Sequence, residues 1–311
     1  MSDKICMCAY KYKEGKVSLS DKWIVQPKFD GMRMLMFIKN GKILSLLSRG
    51  NKEMKYWHGV FDDHIKPISK VAAKFGVKHF VLDGEVLDSS NDFQGTMRKK
   101  AKKADKDSLV YHVFDLLSID EWEDHKTKIS QLARIDRIDK LIPREGNIRQ
   151  VIGEPAWSEK DVHDYYEKQL KLGYEGIILK KPEGRYEWKR SKSWIKLKPI
   201  NDYSGRVIAI HPGKGKFRKT AGSVSVEGII DDHLVVMEKY GVPKPIPFIT
   251  NVNLSTDKIR KYFWTNCEAL LKKKAIVDIQ AQEPSFKIKR GEVAKLRFSK
   301  FIRLRGYKEV E

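Results

Sequence analysis

The chain has 311 residues, of which 41% are hydrophobic and 33% charged, and its 62 lysines and arginines exceed its 41 acidic residues by 21. The hydrophobic content is too high for a disordered chain, and no apolar run reaches the roughly 18 residues that a transmembrane helix needs. So large a positive excess favours a polyanionic partner such as nucleic acid over a neutral small molecule.

The first 200 residues contain several predicted strands and one hairpin. A short strand is predicted over residues 23–26, and two apolar runs, 34–38 and 43–47, lie on either side of Asn40-Gly41. Asn-Gly tolerates positive φ at both central turn positions, so this pair predicts a hairpin. Four further β-type runs follow at 80–82, 110–117, 176–179 and 194–197.

Two helices are predicted between these strands, over residues 126–141 and 161–172. Ser158 is the expected N-cap of the second helix, with Asp161 three residues later, and Gly173 marks its end. No Gly-rich loop has the spacing of a Rossmann or P-loop phosphate site. The pattern therefore predicts an α+β fold with a largely antiparallel sheet.

After Pro199 the sequence contains mainly short β-type runs and only one predicted helix. A helix is predicted over 258–272, and short β-type runs fill much of the remaining sequence, at 207–210, 223–226, 234–237, 275–281 and 301–304. Five strands and one helix in this length fit a small, partly closed barrel of the OB type. We expect two domains, an α+β domain over residues 1–199 and an OB-fold domain over residues 200–311.

Lys28 directly follows the first predicted strand and is a candidate nucleophile. Asp30 lies two residues later and Arg33 five residues later. An amine attacks only in its unprotonated form, which neighbouring cations or burial favour. Alone, this hexapeptide also fits an ordinary turn that carries surface charges.

Further polar and aromatic side chains stand at the ends of predicted strands or within them, namely Arg49, Glu85, Phe114 and Glu175. Lys196 and Lys198 follow Trp194 at alternating positions, so all three side chains share one face of a strand. Lysines at that spacing are also common on edge strands, where they prevent aggregation.

Taken in order, these segments resemble the motifs of the covalent nucleotidyltransferases, the superfamily of DNA ligases, RNA ligases and mRNA capping enzymes. The C-terminal run Leu-Arg-Phe-Ser-Lys-Phe-Ile-Arg-Leu-Arg at 296–305 resembles the last motif of ATP-dependent DNA ligases. The length and motif placement resemble the small phage and viral members. The resemblance implies a nucleotidyltransferase (adenylation) domain followed by an OB fold, in a monomer that uses ATP to seal nicked double-stranded DNA.

The resemblance also implies a role for each motif residue. Lys28 would attack the α-phosphorus of ATP and carry AMP, which then passes to a 5′-phosphate at a nick before the 3′-hydroxyl expels it. These are in-line phosphoryl transfers that depend on positioning and charge neutralisation. The expected nucleotide contacts are the backbone at Gln26 and Pro27 with the adenine edge, Phe114 with the adenine face, Glu85 with the ribose, Arg33 and Arg49 with phosphate and sugar, and Lys196 and Lys198 with the α-phosphate.

The same resemblance implies a divalent ion, Mg²⁺ or Mn²⁺, held by Glu175 with Asp30 nearby. Mg²⁺ keeps several waters and binds through one or two carboxylates plus substrate phosphates, which suits a site with few acidic ligands. We expect this ion, together with Arg33, Lys196 and Lys198, to disfavour the ammonium form of Lys28.

The C-terminal motif departs from the family pattern. The family sequence closes Arg-x-Asp-Lys, whereas this chain has Arg305-Gly306-Tyr307-Lys308, with Tyr307 in the place of the aspartate. Arg305 and Lys308 are expected to orient the pyrophosphate leaving group.

Two basic segments are candidates for DNA contact. The loop at 213–219 is short, glycine-rich and cationic, and its Lys214, Lys216, Arg218 and Lys219 are predicted to bind DNA phosphates; a flexible surface loop is the alternative. Residues 185–191 are basic and aromatic, which fits either contact with the nick or a plain surface loop. Binding should be directed at the backbone and weaken with salt, because a ligase accepts any sequence at the nick.

Other functions remain open at this point. An RNA ligase or a GTP-using capping enzyme is the nearest alternative, and a non-catalytic OB-fold nucleic-acid binder is the alternative from another class. An NAD-dependent ligase is disfavoured, since neither a nicotinamide-binding domain nor a cysteine-rich zinc module is seen in the sequence. Three cysteines form no disulfide framework, so we expect a cytoplasmic protein, in the host cytoplasm if it is viral, with no membrane partner.

Overall fold

The computed structural model describes residues 6–12, 17–89, 96, 99, 106–199, 201–230, 246–282 and 293–305. The chain divides into two compact units, Met1–Lys198 and Pro199–Glu311. None of the helices within the described residues is both long and apolar enough to cross a membrane.

The first unit contains two five-stranded sheets. Strand order in the first sheet is β1-β10-β9-β2-β8, and its neighbours are antiparallel except for the parallel pair β1–β10. Its strands are β1 (Cys8–Lys11), β2 (Trp23–Lys28), β8 (Glu154–Ala156), β9 (Gly176–Lys180) and β10 (Arg190–Leu197). One face is apolar and packs against helix α4 (Glu159–Lys171), where Val25, Ile177 and Val162 belong to one buried cluster. The other face carries Gln26, Lys28 and Lys196 together with buried Trp194, which packs toward the second sheet.

Strand order in the second sheet is β4-β3-β5-β6-β7. Its strands are β3 (Met32–Lys39), β4 (Lys42–Ser48), β5 (His79–Asp88), β6 (Leu109–Ser118) and β7 (Ile148–Gln150). The predicted β3–β4 hairpin is present, with Asn40 and Gly41 at φ of 49° and 77°. One face of this sheet is buried under helices α1 (Asp62–Lys74) and α3 (Gln131–Leu141).

The helices show how local capping sets the ends of elements. Helix α4 begins at Glu159 with the predicted Ser158–Asp161 capping box, and Gly173 follows it at φ 85°. Helix α3 begins five residues later than predicted, because the Ser130 side chain accepts a hydrogen bond from the Ala133 amide and caps it there. Helix α1 was not predicted, and Pro67 lies inside it. The short helix α2 (Ile119–Glu123) follows β6 directly.

The second unit is a ring of five paired strands with two helices. Strand order is β11-β12-β13-β15-β14, with β14 paired back to β11, while β13 and β15 share one parallel pair, Asn253 with Lys300. The elements are β11 (Asn201–Pro212), β12 (Ala221–Ile230), β13 (Ile246–Asn253), α5 (Asp257–Thr265), α6 (Cys267–Lys272), β14 (Ile276–Gln282) and β15 (Arg297–Leu304).

Two expectations for this unit were incomplete. The single helix predicted over 258–272 is divided at Asn266 into α5 and α6. Strand β13 was not predicted, although its burial alternates residue by residue as in a half-exposed strand. The strand predicted over 234–237 lies outside the described residues.

Candidate active site

The two sheets of the first unit pack against each other through a buried cluster that includes Leu35, Val81 and Trp194, and the polar region beside this cluster is called the cleft below. The ammonium group of Lys180, on β9 of the first sheet, donates a hydrogen bond of 2.7 Å to the carbonyl of Phe114 on β6 of the second. The Arg33 guanidinium, on β3, lies 5.6 Å from the ring centroid of Trp194 on β10. Side chains that are far apart in sequence are therefore neighbours across the cleft.

Strand pairing lines up the predicted lysines of the first sheet. Lys28 on β2 pairs with Gly176 on β9, and Gln26 pairs with Ile178. Ile178 in turn pairs with Lys196 on β10, so Lys198, two residues later, stands on the same face beside Gly176. Because β10 lies between β1 and β9, Lys196 and Lys198 are not on an edge strand, and the anti-aggregation interpretation is wrong for this pair.

Glu175 connects the candidate nucleophile with the lysine pair. Its Oε2 forms an ion pair with Lys28 Nζ, and its Oε1 lies 3.0 Å from Lys198 Nζ. The Glu175 amide also donates a hydrogen bond of 3.0 Å to the Lys28 carbonyl. Lys28 Nζ further donates to the Phe29 carbonyl at 3.4 Å. The side chains of Lys28, Glu175 and Lys198 are only 20, 15 and 17% exposed, so the candidate nucleophile belongs to a largely buried cluster of charges.

Gly176 allows this close approach of three strands. Its φ of +143° disfavours side chains, and a Cβ at this position would overlap the Leu197 carbonyl oxygen and approach Lys198 Cα to 2.9 Å. A residue with a side chain would push β10 away from β9. The glycine therefore keeps Lys28 and Lys198 on either side of Glu175.

The charges in the cleft shift one another's ionisation. Burial works against ionisation of Glu175, but Lys28 and then Lys198 outweigh it, so the pKa of this carboxyl lies below its ordinary value. Burial, reinforced by Lys198 and Lys28, lowers the pKa of Lys196. Burial raises the pKa of Glu85 to about 7 in spite of the opposing charges of Lys28 and Arg33. Glu175 is thus an ionised carboxylate, whereas Glu85 changes charge near neutral pH.

Arg33 lies in the cleft but already has partners. Its Nε and Nη2 donate to the two carboxylate oxygens of buried Asp83 at 2.8 and 2.5 Å. Its guanidinium also lies 5.1 Å from the centroid of the Phe114 ring. Tyr186 donates a hydrogen bond of 2.6 Å to the same aspartate. The structure therefore orients Arg33 rigidly, an arrangement for which the only sequence signal was Asp83, directly after the predicted strand 80–82 and within the observed β5.

Phe114 and Gln26 both line the region next to Lys28. Phe114 is half-buried and belongs to a small apolar cluster with Phe29, Leu87 and Val151. The side-chain amide of Gln26 donates to the Val151 carbonyl at 3.0 Å, and its Oε1 is buried without a hydrogen-bond partner. The family resemblance implied a contact only for the backbone at Gln26 and Pro27, whereas the orientation of the Gln26 side-chain amide depends on the tertiary structure.

Lys180 lies in the cleft, although no sequence motif pointed to it. Its side chain is 1% exposed and packs against the rings of Trp194 and Phe114, 4.4 and 5.0 Å from their centroids. Burial lowers its pKa to about 7. A lysine in the otherwise apolar run Ile-Ile-Leu-Lys was the available signal.

The remaining predicted residues lie in different places. Arg49 is exposed in the turn after β4, and Asp30 is half-buried just after β2. Arg305, in the second unit, donates to Asp278 at 2.8 Å and to Ser204 at 2.7 Å. Lys308 and Tyr307 lie outside the described residues. The loop after β11 exposes all four predicted cations, Lys214, Lys216, Arg218 and Lys219.

The comparison with protein families decides the family of this chain. Residues 7–198, more than half of the chain, match the model described as the ATP dependent DNA ligase domain. The chain belongs to the ATP-dependent DNA ligase family. The matched segment contains the whole cleft, from β1 to Lys198.

Curated relatives and solved structures agree with this assignment. The multifunctional non-homologous end joining protein LigD of Pseudomonas aeruginosa is 29% identical over 180 residues, which cover 57% of this chain and 20% of that protein. A DNA ligase of Haemophilus influenzae is 25% identical over 206 residues, 65% of this chain and 68% of the relative. The matched segment covers well under half of the length of most of these curated relatives, for example 20% of the LigD protein.

Among solved structures, one called Pmar-Lig_PreS3 superimposes with a TM-score of 0.80 at 26% identity, over 97% of this chain and 68% of that one. The bacteriophage T7 ATP-dependent DNA ligase in complex with ATP has a TM-score of 0.55 at 17% identity, over 98% and 100% of the two chains, and therefore shows the fold alone. The predicted fold class is confirmed: a mainly antiparallel nucleotidyltransferase unit with an OB-type second unit.

Proposed function

We propose that the chain is an ATP-dependent DNA ligase that seals nicks between a 3′-hydroxyl and a 5′-phosphate in duplex DNA, during replication, repair or recombination. The observation that carries the proposal is the partly buried Lys28–Glu175–Lys198 arrangement, with Lys196 on the adjacent strand of the same sheet. A binding protein needs cations, but it does not need a partly buried amine and a carboxylate in contact beside two further lysines.

In the proposed reaction, Lys28 Nζ attacks the α-phosphorus of ATP, a P–N bond forms, and pyrophosphate leaves. The 5′-phosphate of the nick then attacks the same phosphorus and releases Lys28. Finally the 3′-hydroxyl attacks the 5′-phosphate, the new phosphodiester forms, and AMP leaves. Lys196 and Lys198 face these phosphates, where fixed cations stabilise developing negative charge. Glu175 is the carboxylate in contact with the attacking amine.

The orientation of Gln26 supports ATP over GTP. Because its amide nitrogen donates to Val151, its carbonyl oxygen Oε1 is the atom left without a partner. A buried acceptor favours an amino group as its partner and is left unpaired by a carbonyl group. Adenine offers an exocyclic amino group at the position where guanine has a carbonyl oxygen, so the free Oε1 of Gln26 is suited to adenine.

The acidic groups fit a divalent ion that arrives with the nucleotide. Both oxygens of Glu175 already contact lysines, and the described residues hold no group of three or more side chains arranged for a metal ion. Mg²⁺ or Mn²⁺ bound mainly by substrate phosphates needs only one or two carboxylates, which Glu175 and Asp30 would supply. The ion would neutralise phosphate charge when bound.

A labelling experiment tests the proposal and separates it from its alternatives. The protein is incubated with Mg²⁺ and α-labelled ATP, GTP or NAD⁺, and covalent label is measured after denaturation. We expect label from ATP alone and its release when nicked DNA, but not nicked RNA, is added. Label from GTP would indicate capping-type chemistry, release by nicked RNA would indicate an RNA ligase, and the absence of label from every nucleotide would leave a basic binding protein.

The pKa of Glu85 predicts how nucleotide affinity depends on pH. An acid with a pKa of about 7 is largely protonated below that pH and ionised above it, and only the ionised form is a full acceptor for a ribose hydroxyl. We expect the affinity for α,β-methylene-ATP, which cannot transfer AMP, to fall by up to about tenfold as the pH drops from 8 to 6. Calorimetric titration at several pH values measures this.

The matched control for the pH experiment is Glu85→Gln, which keeps the side-chain size but does not titrate in this range. This variant should bind the analogue more weakly at pH 8 and show a flatter profile. An unchanged pH profile in Glu85→Gln would assign the titration to another group.

A further inference from the structure

Polar side chains form a row across the second sheet. Glu85 on β5 pairs with Arg33 on β3 and with His112 on β6, and His112 also pairs with Arg149 on β7. Directly paired residues share a face of a sheet. Tyr111, next to His112, belongs to the cluster under the helices. The row therefore lies on the opposite face, which is the face of Arg33 and the cleft.

His112 is the member of this row whose hydrogen bonding is incomplete. Its side chain is only 6% exposed, and its Nε2 is buried without a hydrogen-bond partner among the described residues. An unpaired buried nitrogen is unfavourable, and few such atoms occur in a folded protein. A ligand that supplies the missing partner explains why this atom is kept.

The His112 ring is fixed beside the candidate nucleophile. It stacks on Phe29, the residue after Lys28, with ring centroids 4.3 Å apart and planes inclined by 30°. Phe29 in turn contacts Tyr174, the residue before Glu175, in an edge-on arrangement with centroids 5.3 Å apart. The stacked rings thus connect His112 with both partners of the Lys28–Glu175 pair.

The same ring lies between the two groups that are expected to bind adenosine. On one side is its directly paired neighbour Glu85, the predicted ribose contact, at a Cβ separation of about 5 Å. On the other side is Val151, whose amide donates to the Val113 carbonyl at 2.8 Å and whose carbonyl accepts from Gln26, the predicted adenine contact. A nucleoside that extends from Gln26 to Glu85 therefore lies next to His112.

The His112 ring is neutral, which limits the groups that it can bind. Burial, and after it the positive charge of Arg149, lowers the pKa of His112 to about 3. One nitrogen of a neutral imidazole carries a hydrogen and the other a lone pair. A hydroxyl group both donates and accepts, so it can pair with Nε2 in either tautomer. Phosphate oxygens only accept, and the adenine amino group is the partner proposed for Gln26.

We propose that His112 binds a ribose hydroxyl of ATP through Nε2, beside the ribose contact of Glu85. The inference rests on the proposed function. The ribose of ATP has two neighbouring hydroxyl groups, and Glu85 and His112 provide two polar partners on adjacent strands. His112 is therefore a specificity residue that distinguishes ATP from a deoxynucleotide.

The test replaces His112 with phenylalanine, which keeps an aromatic ring on Phe29 but removes both ring nitrogens. The control is His79→Phe at the start of β5, because His79 Nδ1 is also buried without a partner but lies about 20 Å along the strand from Glu85. The rate of lysine labelling is measured against the concentration of α-labelled ATP, 2′-deoxy-ATP and 3′-deoxy-ATP. Thermal unfolding is measured for each variant.

We expect His112→Phe to raise the ATP concentration for half-maximal labelling about three- to tenfold, the loss of one hydrogen bond, without changing the maximal rate. The variant should be at least as stable as the wild type, because it removes an unpaired buried nitrogen. For one of the two deoxynucleotides the variant and the wild type should behave alike, since that nucleotide lacks the hydroxyl that His112 binds. His79→Phe should label like the wild type with all three nucleotides.

Three outcomes overturn the inference while the proposed function stands. The first is an unchanged half-saturating concentration of ATP for His112→Phe. The second is an equal loss for all three nucleotides, which would assign Nε2 to the base or the phosphates. The third is a lower maximal rate together with lower thermal stability, which would show a structural role. Wild-type protein that takes no label from ATP contradicts the proposed function itself, and the inference fails with it.

Discussion

Replacement of Lys28 with alanine is expected to abolish covalent labelling from α-labelled ATP. The amine is the attacking group, and removal of a nucleophile typically costs on the order of 10⁴-fold or more in rate. The fold should survive, because Glu175 keeps its contact with Lys198 at 3.0 Å and is not left as an unpaired buried charge. Denaturing gel electrophoresis after incubation with labelled ATP measures the adduct, and thermal unfolding measures the fold.

Two controls make this experiment decisive. Lys28→Arg keeps a cation next to Glu175 but supplies no nucleophilic amine, so it should also remain unlabelled. Lys181→Ala removes an exposed lysine that follows β9 and lies 3.9 Å from Asp21, and it should label normally. A stable protein–AMP adduct on folded Lys28→Ala would refute the assignment of the nucleophile.

Replacement of Arg134 with methionine is expected to destabilise the first unit by about 3–5 kcal/mol, the cost of removing one partner of a buried ion pair. Arg134 and Asp115 are both fully buried, with Nε–Oδ1 at 2.7 Å and Nη2–Oδ2 at 3.2 Å. The guanidinium also donates to the carbonyl of Ile129 at 2.8 Å and to the side chain of Gln131 at 2.9 Å. The variant leaves a buried carboxylate without its counter-charge.

Chemical unfolding followed by tryptophan fluorescence measures this loss, since six of the seven tryptophans precede residue 199. The control is Arg137→Met on the same helix, which removes a partly exposed pair with Glu121 at 3.0 Å and should cost at most about 1 kcal/mol. If both variants unfolded at the same denaturant concentration, the buried pair would contribute no more than a surface pair.

The Arg134 network also bears on the site. Asp115 follows Phe114 on β6, and Gln131 accepts a hydrogen bond of 2.7 Å from the Trp194 indole. Loss of the network would loosen both rings that flank Arg33 and Lys180. Arg134→Met should therefore weaken ATP binding as well as stability, although Arg134 is not one of the predicted nucleotide contacts.

Local rules predicted those features that depend on neighbouring residues only. Asn40 and Gly41 form the predicted hairpin because their backbones tolerate positive φ, whatever lies around them. The Ser158–Asp161 capping box formed as predicted, because both partners belong to one helical turn. Trp194 and Lys196 lie on one face of β10, as predicted, because side chains two residues apart in a strand share a face.

The errors also have local causes. Helix α1 was not predicted because proline, here Pro67, is rare inside helices. Helix α3 begins later than predicted because Ser130 caps it. Asn266 ended a helix that helical periodicity alone would have continued.

The sequence by itself determined the period of each strand, the turns and caps, and the order of residue types that identifies the ligase family. Only the tertiary structure decided which of these residues meet. Lys28 contacts Glu175, 147 positions further along the chain, because β9 is hydrogen-bonded to β2, and Arg33 is bound to Asp83 because β5 lies beside β3. Strand order is a property of the whole folded chain and follows no local pattern, so the partners of Arg33, Gln26 and Lys180 became visible only when the two sheets were assembled.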